Sequence, residues 1–436
     1  MKRLVLVSLT VFMLIFSVSS FAQRRVQPSP DMLLKGGHVI DPKNNIDSVM
    51  DVLIKDGKIA RVEKNVRIND DKIKVVDVSG YYVSPGFVDL HVHVFPEGID
   101  FSVIARHHCF QTCVTTAVDA GSPGADNFEE FKKKHIDNPR SPRILAFLNI
   151  AASGMGAGES DPSQFNVKRA VETALKYPDC IVGFKTAHYG FGRFDEIHQP
   201  WTSVDSVLAA GRMAGLPCML DSHPRPASGG YPPKSQRELI LEKMQPGDIY
   251  THCYCPGFPI INKDGTVNPD LFKAQKRGVY FDVGHGGGAM VFRNAVPSIK
   301  QGFLPDAIST DLHETSAGSA MLNMANTMSK FLCAGIPLED VIRRSTINPA
   351  RIVNHSELGH LSTGATADIA VFELIEGNFS YTDIGGGKIY GDKKIQPFMT
   401  LYGGRIVFDP YGLSATKWEE IPGDSKYWEN YNKIGY

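Results

Sequence analysis

The chain has 436 residues, a hydrophobic fraction of 42%, and 46 basic residues against 47 acidic ones. It is too long for one ordinary small core and has the composition of a globular protein. Its charge is too evenly spread to offer the basic face that nucleic-acid binding needs, and no block of like charge is long enough to form a tail.

Lys2 and Arg3 precede an apolar run from Leu4 to Val18, and Ser19-Ser20-Phe21-Ala22 then supplies the small residues a signal peptidase reads. The run is shorter than the roughly 20 residues a spanning helix needs. Residues 1–22 are therefore expected to be a signal peptide cleaved after Ala22. The mature chain would be exported and off the membrane, in the periplasm of a Gram-negative source or secreted. Cys109 is the first of seven cysteines, so none lies near the cut for lipid attachment. An odd number leaves at least one unpaired, and the spacings announce no disulfide framework. Most read as small buried apolar residues.

Arg24 to Pro30 is a polar, proline-bearing linker. From Met32 to Ser84 short strands are expected. Val52–Lys55, Asp56-Gly57 and Lys58–Val62 form a hairpin signal, because Asp-Gly suits the positive φ angles of a two-residue turn. From Pro85 short apolar strands alternate with helical stretches. Eight strands are expected: Phe87–Leu90, Thr115–Asp119, Arg143–Leu148, Ile181–Lys185, Pro217–Asp221, Asp248–His252, Val279–Val283 and Ala307–Thr310. Helical patterns lie between them, such as Val167–Tyr177, Val204–Ala214, Ser235–Met244 and Ala320–Cys333. This rhythm is that of an α/β protein with a (β/α)₈ TIM barrel over residues 85–354. A doubly wound sheet is disfavoured, since no glycine-rich phosphate loop follows the first strand. After Asn354 strands return, at Gly364–Phe372 and Gly403–Phe408. Paired with those before Ser84, they would make a small β-sandwich domain from both chain ends, residues 23–84 and 355–413. Residues 414–436 form a polar, aromatic tail.

Polar residues recur at or just past the carboxyl ends of the expected strands, the face where barrel enzymes hold their sites. His91 and His93 follow strand one, two apart, so both rings can face one point. Lys185 ends strand four, His223 follows strand five, His252 ends strand six, and Asp311 follows strand eight. Neutral imidazole and carboxylate are good ligands for zinc and similar divalent ions. Lysine normally is not. Burial beside metal ions favours its neutral amine, which can add carbon dioxide to form a carbamate. That carboxylate-like group can bridge two ions. The expected site holds His91, His93 and Asp311 on one metal and His223 and His252 on the other, with carbamylated Lys185 between. Zinc is the default ion for such donors in a hydrolase.

The run Pro85-Gly86-Phe87-Val88-Asp89-Leu90-His91-Val92-His93 resembles the signature of the amidohydrolase superfamily. So do the later lysine, the two spaced histidines, the strand-eight aspartate, and the return segment Gly359-His360-Leu361 to Ala367–Val371. Thr115–Ser122, Thr251-His252-Cys253, Asp282–Gly287 and Ser309–His313 look, more finely, like the amidohydrolase/deacetylase-type metallohydrolases, relatives of dihydroorotase. The resemblance covers about Met32 to Leu413. It implies a binuclear hydrolase that cleaves an ester or amide bond of a small acylated substrate, with Asp311 as ligand and catalytic base. The alternative it implies is a cyclic-amide hydrolase of dihydroorotase or hydantoinase type, which would share every metal ligand. A non-catalytic relative would lack a ligand, and none is lacking.

Weaker candidates remain. His285, on the glycine-rich turn after strand seven, and Arg225, just past His223, are candidate substrate contacts, against the plainer readings of a hydrogen-bonded loop histidine and a surface arginine. Arg225 could grip a carboxylate bidentately. His107, His108, Cys109 and Cys113 read as helix residues away from the mouth rather than as a second metal cluster. Some superfamily relatives use a bridging cysteine, but those lack the lysine, so Cys253 is not read as a ligand. The sequence leaves the substrate and the oligomeric state open, a homo-oligomer included.

Overall fold

The structure, a computed structural model, describes residues 31–189, 201–221, 236–256 and 260–421. The expected signal segment, His223, Arg225 and most of the tail lie outside these residues. No helix among the described residues is long and apolar enough to cross a membrane.

The described residues begin with five strands, β1 (Met32–Asp41), β2 (Ile46–Lys55), β3 (Lys58–Glu63), β4 (Lys74–Asp77) and β5 (Tyr82–Pro85). The β2–β3 turn is the expected Asp56-Gly57, with φ of 50° and 72°. β1 is the hub: it runs antiparallel to β2 and parallel to β4 and β5, and a bulge between Leu34 and Gly37 separates the stretches that pair with these two.

Seven parallel strands follow: β6 (Phe87–Val92), β7 (Val114–Ala120), β8 (Arg143–Asn149), β9 (Ile181–Thr186), β10 (Cys218–Leu220), β11 (Ile249–Tyr250) and β12 (Tyr280–Phe281). They lie side by side in sequence order. Helices such as Val167–Lys176, Thr202–Ala214 and Pro269–Arg277 alternate with them. Asn166 and Asn268 cap two of these by accepting the amides of Arg169 and Asp270. Every residue of β6, β7 and β9 is buried, as strands covered on both faces require. One face packs under the helices. On the other, Leu90, Val118, Phe147, Val182, Met219 and Ile249 meet in one cluster with Ala307, so the sheet curls strongly.

The eighth expected strand, Ala307–Thr310, is not a regular strand. Single parallel bridges tie its segment to both edges of the sheet, Asp282 to Ala307 and Val92 to Leu312. Its carbonyls at Ala307, Ser309 and Thr310 accept the amides of Val283, His285 and Gly286. The Thr310 amide donates instead to the Asp89 carboxylate at 3.0 Å, and Asp311 turns into the left-handed region at φ 51°. A side chain and a strained backbone thus replace part of the ladder.

The last strands among the described residues are β13 (Ile369–Thr382), β14 (Lys388–Tyr402) and β15 (Arg405–Phe408). β13 pairs with β5, which joins both ends of the chain in one eight-stranded sheet ordered β15-β14-β13-β5-β1-β2-β3, with β4 also on β1. The expected sandwich of two sheets is therefore one continuous hydrogen-bonded sheet. It curls until Lys58 of β3 bridges Thr366, just before β13, over a shared core that includes Leu34, Val52, Ile54, Val371 and Met399.

Candidate functional site

His91 is the penultimate residue of β6 and His93 lies just beyond it, at the carboxyl end of the parallel sheet. The fixed partners of their rings decide what each can offer. Thr251 Oγ1 donates its hydrogen to Asp282 Oδ2 at 2.7 Å, so toward His91 Nδ1, 2.9 Å away, it can only accept. His93 Nδ1 lies 3.0 Å from Ser122 Oγ, and that hydroxyl bonds in turn to Asp119. His252 Nδ1 donates to the Gly284 carbonyl at 2.6 Å, since a carbonyl cannot donate. In each ring Nδ1 carries the hydrogen, and Nε2 presents its lone pair to the cavity.

These Nε2 atoms converge on two carboxylates. His93 Nε2 is 3.1 Å and His91 Nε2 3.5 Å from Asp311 Oδ1, while His252 Nε2 is 3.2 Å from Asp221 Oδ2. Ligand atoms of His91, His252 and Asp311 all lie within 4.8 Å of one another, and among the described residues this is the one such convergence of histidine, cysteine and acid side chains. Burial, aided by the positive charge of Lys185, lowers the pKa of His91 to about 3, so the ring is neutral at physiological pH. Asp311 packs so closely against Gly286 that a Cβ there would strike its carboxylate.

Lys185, on β9, is 1% exposed. Among the described residues its amine has one hydrogen-bond partner, the thioether of Met219 at 3.8 Å. Gly121 makes room for its stem: a Cβ at 121 would lie 2.7 Å from Lys185 Cβ.

His91, His93, Lys185, His252 and Asp311 share a cavity of about 470 Å³ with His188, Asp221, His313, Phe101 and Met155. His285 does not line it. That ring is fully buried behind the glycine-rich turn, with Nδ1 on the Gly286 carbonyl at 3.0 Å and Nε2 accepting from Lys330 Nζ at 2.8 Å. The turn reaches the cavity instead through Gly287, Gly288 and Ala289. His223 and Arg225 lie outside the described residues. Cys113 faces the carbonyls of Val371 and Met399, away from the mouth, and all seven cysteines are free thiols.

Sequence reasoning passed over Asp221, His188 and His313. Each sits at or just past a strand end, as His91 does, so the same positional signal could have found them. It also passed over Asp89, Asp119 and Asp282, which lie inside apolar runs and read as strand residues. Burial raises the carboxyl of Asp89 to about 7 even though Thr310 and the His91 amide donate to it.

The amidohydrolase family model matches residues 289–407. A deacetylase of Brucella anthropi is 33% identical over 376 residues, 83% of this chain and 88% of that protein. Among solved structures, a dihydroorotase superposes with a TM-score of 0.72 at 30% identity, over 87% of this chain and all but 1% of that one, since 99% of it is covered. An adenine deaminase gives 0.76 at 26% identity, over 87% of this chain and 100% of that one.

Proposed function

The chain belongs to the amidohydrolase superfamily, and on that premise we propose that it is a binuclear metal-dependent deacylase that hydrolyses an ester or amide bond of a small acylated substrate. The observation that carries this reading is the convergence of three bare imidazole nitrogens and the Asp311 carboxylate on one cavity. The deacetylase at 33% identity supports the acyl class of substrate.

The residues present fit metal ions. A buried amine whose one hydrogen-bond partner among the described residues is a thioether is costly as an ammonium. The cost falls if the amine adds carbon dioxide and loses a proton, leaving a carbamate beside cations. His91, His93 and Asp311 would hold one ion, His252 and His223 the other, and carbamylated Lys185 would serve both. When bound, such ions, zinc by default for these donors, acidify a water from a pKa of about 15.7 towards 7 and polarise the scissile carbonyl.

The chain's own residues then manage protons and position. Asp311 accepts a proton on its carboxylate as water adds to the carbonyl carbon. It returns that proton to the leaving oxygen or nitrogen as the acyl bond breaks. Thr251, Ser122 and the Gly284 carbonyl keep the three rings turned so that Nε2 stays bare. Phe101, Met155 and Ala289 add apolar surface to the cavity lining.

We read residues 85–354 as a closed (β/α)₈ barrel, with 307–312 as its eighth strand, and residues 23–84 with 355–413 as its companion domain. Residues 1–22 would direct export. A cyclic-amide hydrolase is the second reading, favoured by the likeness to a dihydroorotase structure. Screening the metal-loaded protein against acylated hydroxy acids, N-acyl amino acids and cyclic ureides by kcat/KM separates the two. The highest value is expected on a linear acyl compound. A cyclic ureide as best substrate selects the second reading, and no turnover on any class overturns both. Protein made with added bicarbonate is expected to carry close to two ions per chain. Lys185→Ala should lose activity that small carboxylates partly restore, and full activity without them would overturn the carbamate.

A further inference from the structure

The turn after β12 holds glycine at 284 and at 286–288, and not for one reason. Gly284 and Gly286 adopt φ of 44° and 54°, and a Cβ at either would strike the His252 ring or the Asp311 carboxylate. Gly287 and Gly288 lie outside the left-handed region. A Cβ at 287 would make only ordinary contacts, at 3.7 Å or more, and one at 288 would meet nothing within 4 Å. The fold therefore does not require glycine at these two positions. What glycine preserves there is open cavity, which both residues line. Among the described residues neither backbone N–H has an acceptor. The amides on either side, of Gly286 and Ala289, donate to the Thr310 and His285 carbonyls at 2.8 Å and 3.3 Å.

Opposite Gly287 stand Thr315 and His313. The atoms nearest a Cβ at 287 would be Thr315 Oγ1 at 3.7 Å and His313 Cε1 at 3.8 Å, so the slot between the turn and this pair is one heavy atom wide. Thr315 Oγ1 and His313 Nδ1 are 2.9 Å apart, and Phe101 meets the His313 ring edge-on at 5.4 Å. One hydrogen lies between the pair. If the hydroxyl supplies it, the neutral ring carries its own hydrogen on Nε2; if the ring supplies it, the hydroxyl hydrogen is left over. In both tautomers the pair retains one donor. Ser319, also on the cavity wall, retains none, because its hydroxyl donates to the Ser316 carbonyl at 2.9 Å. Donors thus stand on both sides of the slot. It also adjoins the reacting end: Gly286 abuts the Asp311 carboxylate, and His313 Nε2 is 3.9 Å from Asp311 Oδ2. A narrow slot between neutral donors fits a planar group that only accepts, a carboxylate held edge-on.

We propose that this slot, with Gly287 and Gly288 on one wall and His313 and Thr315 on the other, is the specificity subsite that receives a carboxylate on the leaving-group half of the acylated substrate. Asp311 assigns the half, since it returns a proton to the leaving atom and lies beside the slot. The assignment rests on the hydrolase reading above and narrows its substrate class to acyl derivatives of hydroxy or amino acids. The four residues bind and orient that half and take no part in proton transfer at the scissile bond.

The test compares three matched substrates of the metal-loaded protein: an N-acetylamino acid, its uncharged carboxamide, and the N-acetylamine that lacks the carboxyl group altogether. The parent is expected to favour the carboxylate in kcat/KM. The double variant His313→Phe with Thr315→Val keeps the ring and the volume but removes the pair's donor in either tautomer. It should lower the preference for carboxylate over carboxamide by about ten-fold or more, as loss of a hydrogen bond to a charged group implies. Gly287→Ala sets a methyl between the walls in a backbone conformation that alanine adopts, so it keeps the test alive if the double variant does not fold. It should lower the preference for the N-acetylamino acid over the bare N-acetylamine by about ten-fold or more, through KM rather than kcat. A parent preference for the carboxamide overturns the assignment, as does parent activity on the wider acyl and ureide panel but on none of these three compounds. An unchanged ratio in either variant overturns it too, a uniform fall on all three substrates included, since that is what a structural role would give. Parent protein inactive on the three compounds and on the whole panel would instead overturn the hydrolase reading itself.

Discussion

At the scale of single residues, the cavity depends on which nitrogen of each histidine carries its hydrogen. Two of the three rings are set through a hydroxyl backed by a buried acid, Thr251 with Asp282 and Ser122 with Asp119. Thr251→Val removes the acceptor for His91 Nδ1 at nearly constant volume. It should weaken metal binding by about 10- to 100-fold, read by competition with a chelator, whereas Thr251→Ser should stay near the parent. Equal affinity in the valine variant would show that the ring needs no such support. Asp311→Asn should lower kcat by about 10²- to 10⁴-fold while appreciable metal stays bound, measured by steady-state kinetics and elemental analysis. Turnover near the parent level would place the base elsewhere. The positions of His91, His93, Lys185, His252 and Asp311 were legible because each follows an apolar run at its carboxyl end. The acids behind them were not. Asp119 serves His93 only because β6 and β7 pair in register, with Val92 opposite Asp119, and local sequence does not state that pairing.

At the scale of elements, the glycine-rich turn after β12 is held from behind. Lys330, on the helix Met324–Cys333, donates to His285 Nε2 and to the Ala320 carbonyl, while Ser329 of the same helix accepts the Ile395 amide of β14 at 3.0 Å. The long β13–β14 hairpin thus braces the helix that braces the turn. Its tip adds Asp383, which accepts the Phe292 amide at 2.7 Å. Burial lowers the pKa of Lys330 to about 7, with the charge of Asp383 opposing. Between about pH 7 and the ordinary lysine value of about 10.4, the unfolded chain therefore binds more protons than the folded one. Stability from this residue must climb as pH rises through that window and be flat below it. Lys330→Met should remove that climb, seen as a smaller difference between unfolding free energies at pH 7 and pH 10 than in the parent. An identical difference would mean the amine is charged throughout. Sequence reading placed His285 on the right turn but could not see that a lysine 45 residues later would claim its ring, a pairing fixed by helix packing.

At the scale of the whole molecule, the alternation of strands and helices was legible, because strands buried on both faces leave unbroken apolar runs between amphipathic helices. The contribution of both chain ends to one β-rich region was legible too. Two features were not. The segment at 307–312 lacks regular strand geometry because Asp89 takes a backbone donor and Asp311 bends the chain. The β-rich region is one sheet rather than two because β1 pairs with three strands, a count no periodicity reveals. Met399, fully buried on β14, packs in a core shared with β1, β2 and β5. Met399→Ala should cost about 2–5 kcal/mol, measured by denaturant unfolding. It should also speed amide exchange in Met32–Asp41, at the far end of the chain. Exchange confined to β13–β15 would show that the two ends are not coupled. The same arrangement constrains how the chain is born. β5 waits beside β1 for a partner, β13, that leaves the ribosome some 284 residues later by the register of Pro85 with Ile369 (369 − 85 = 284). Until then the first sheet has an open edge and an unfinished core, and pairings over such a span close slowly. The nascent chain therefore stays unlocked until its last strands emerge, the state in which a polypeptide can still be threaded through a pore.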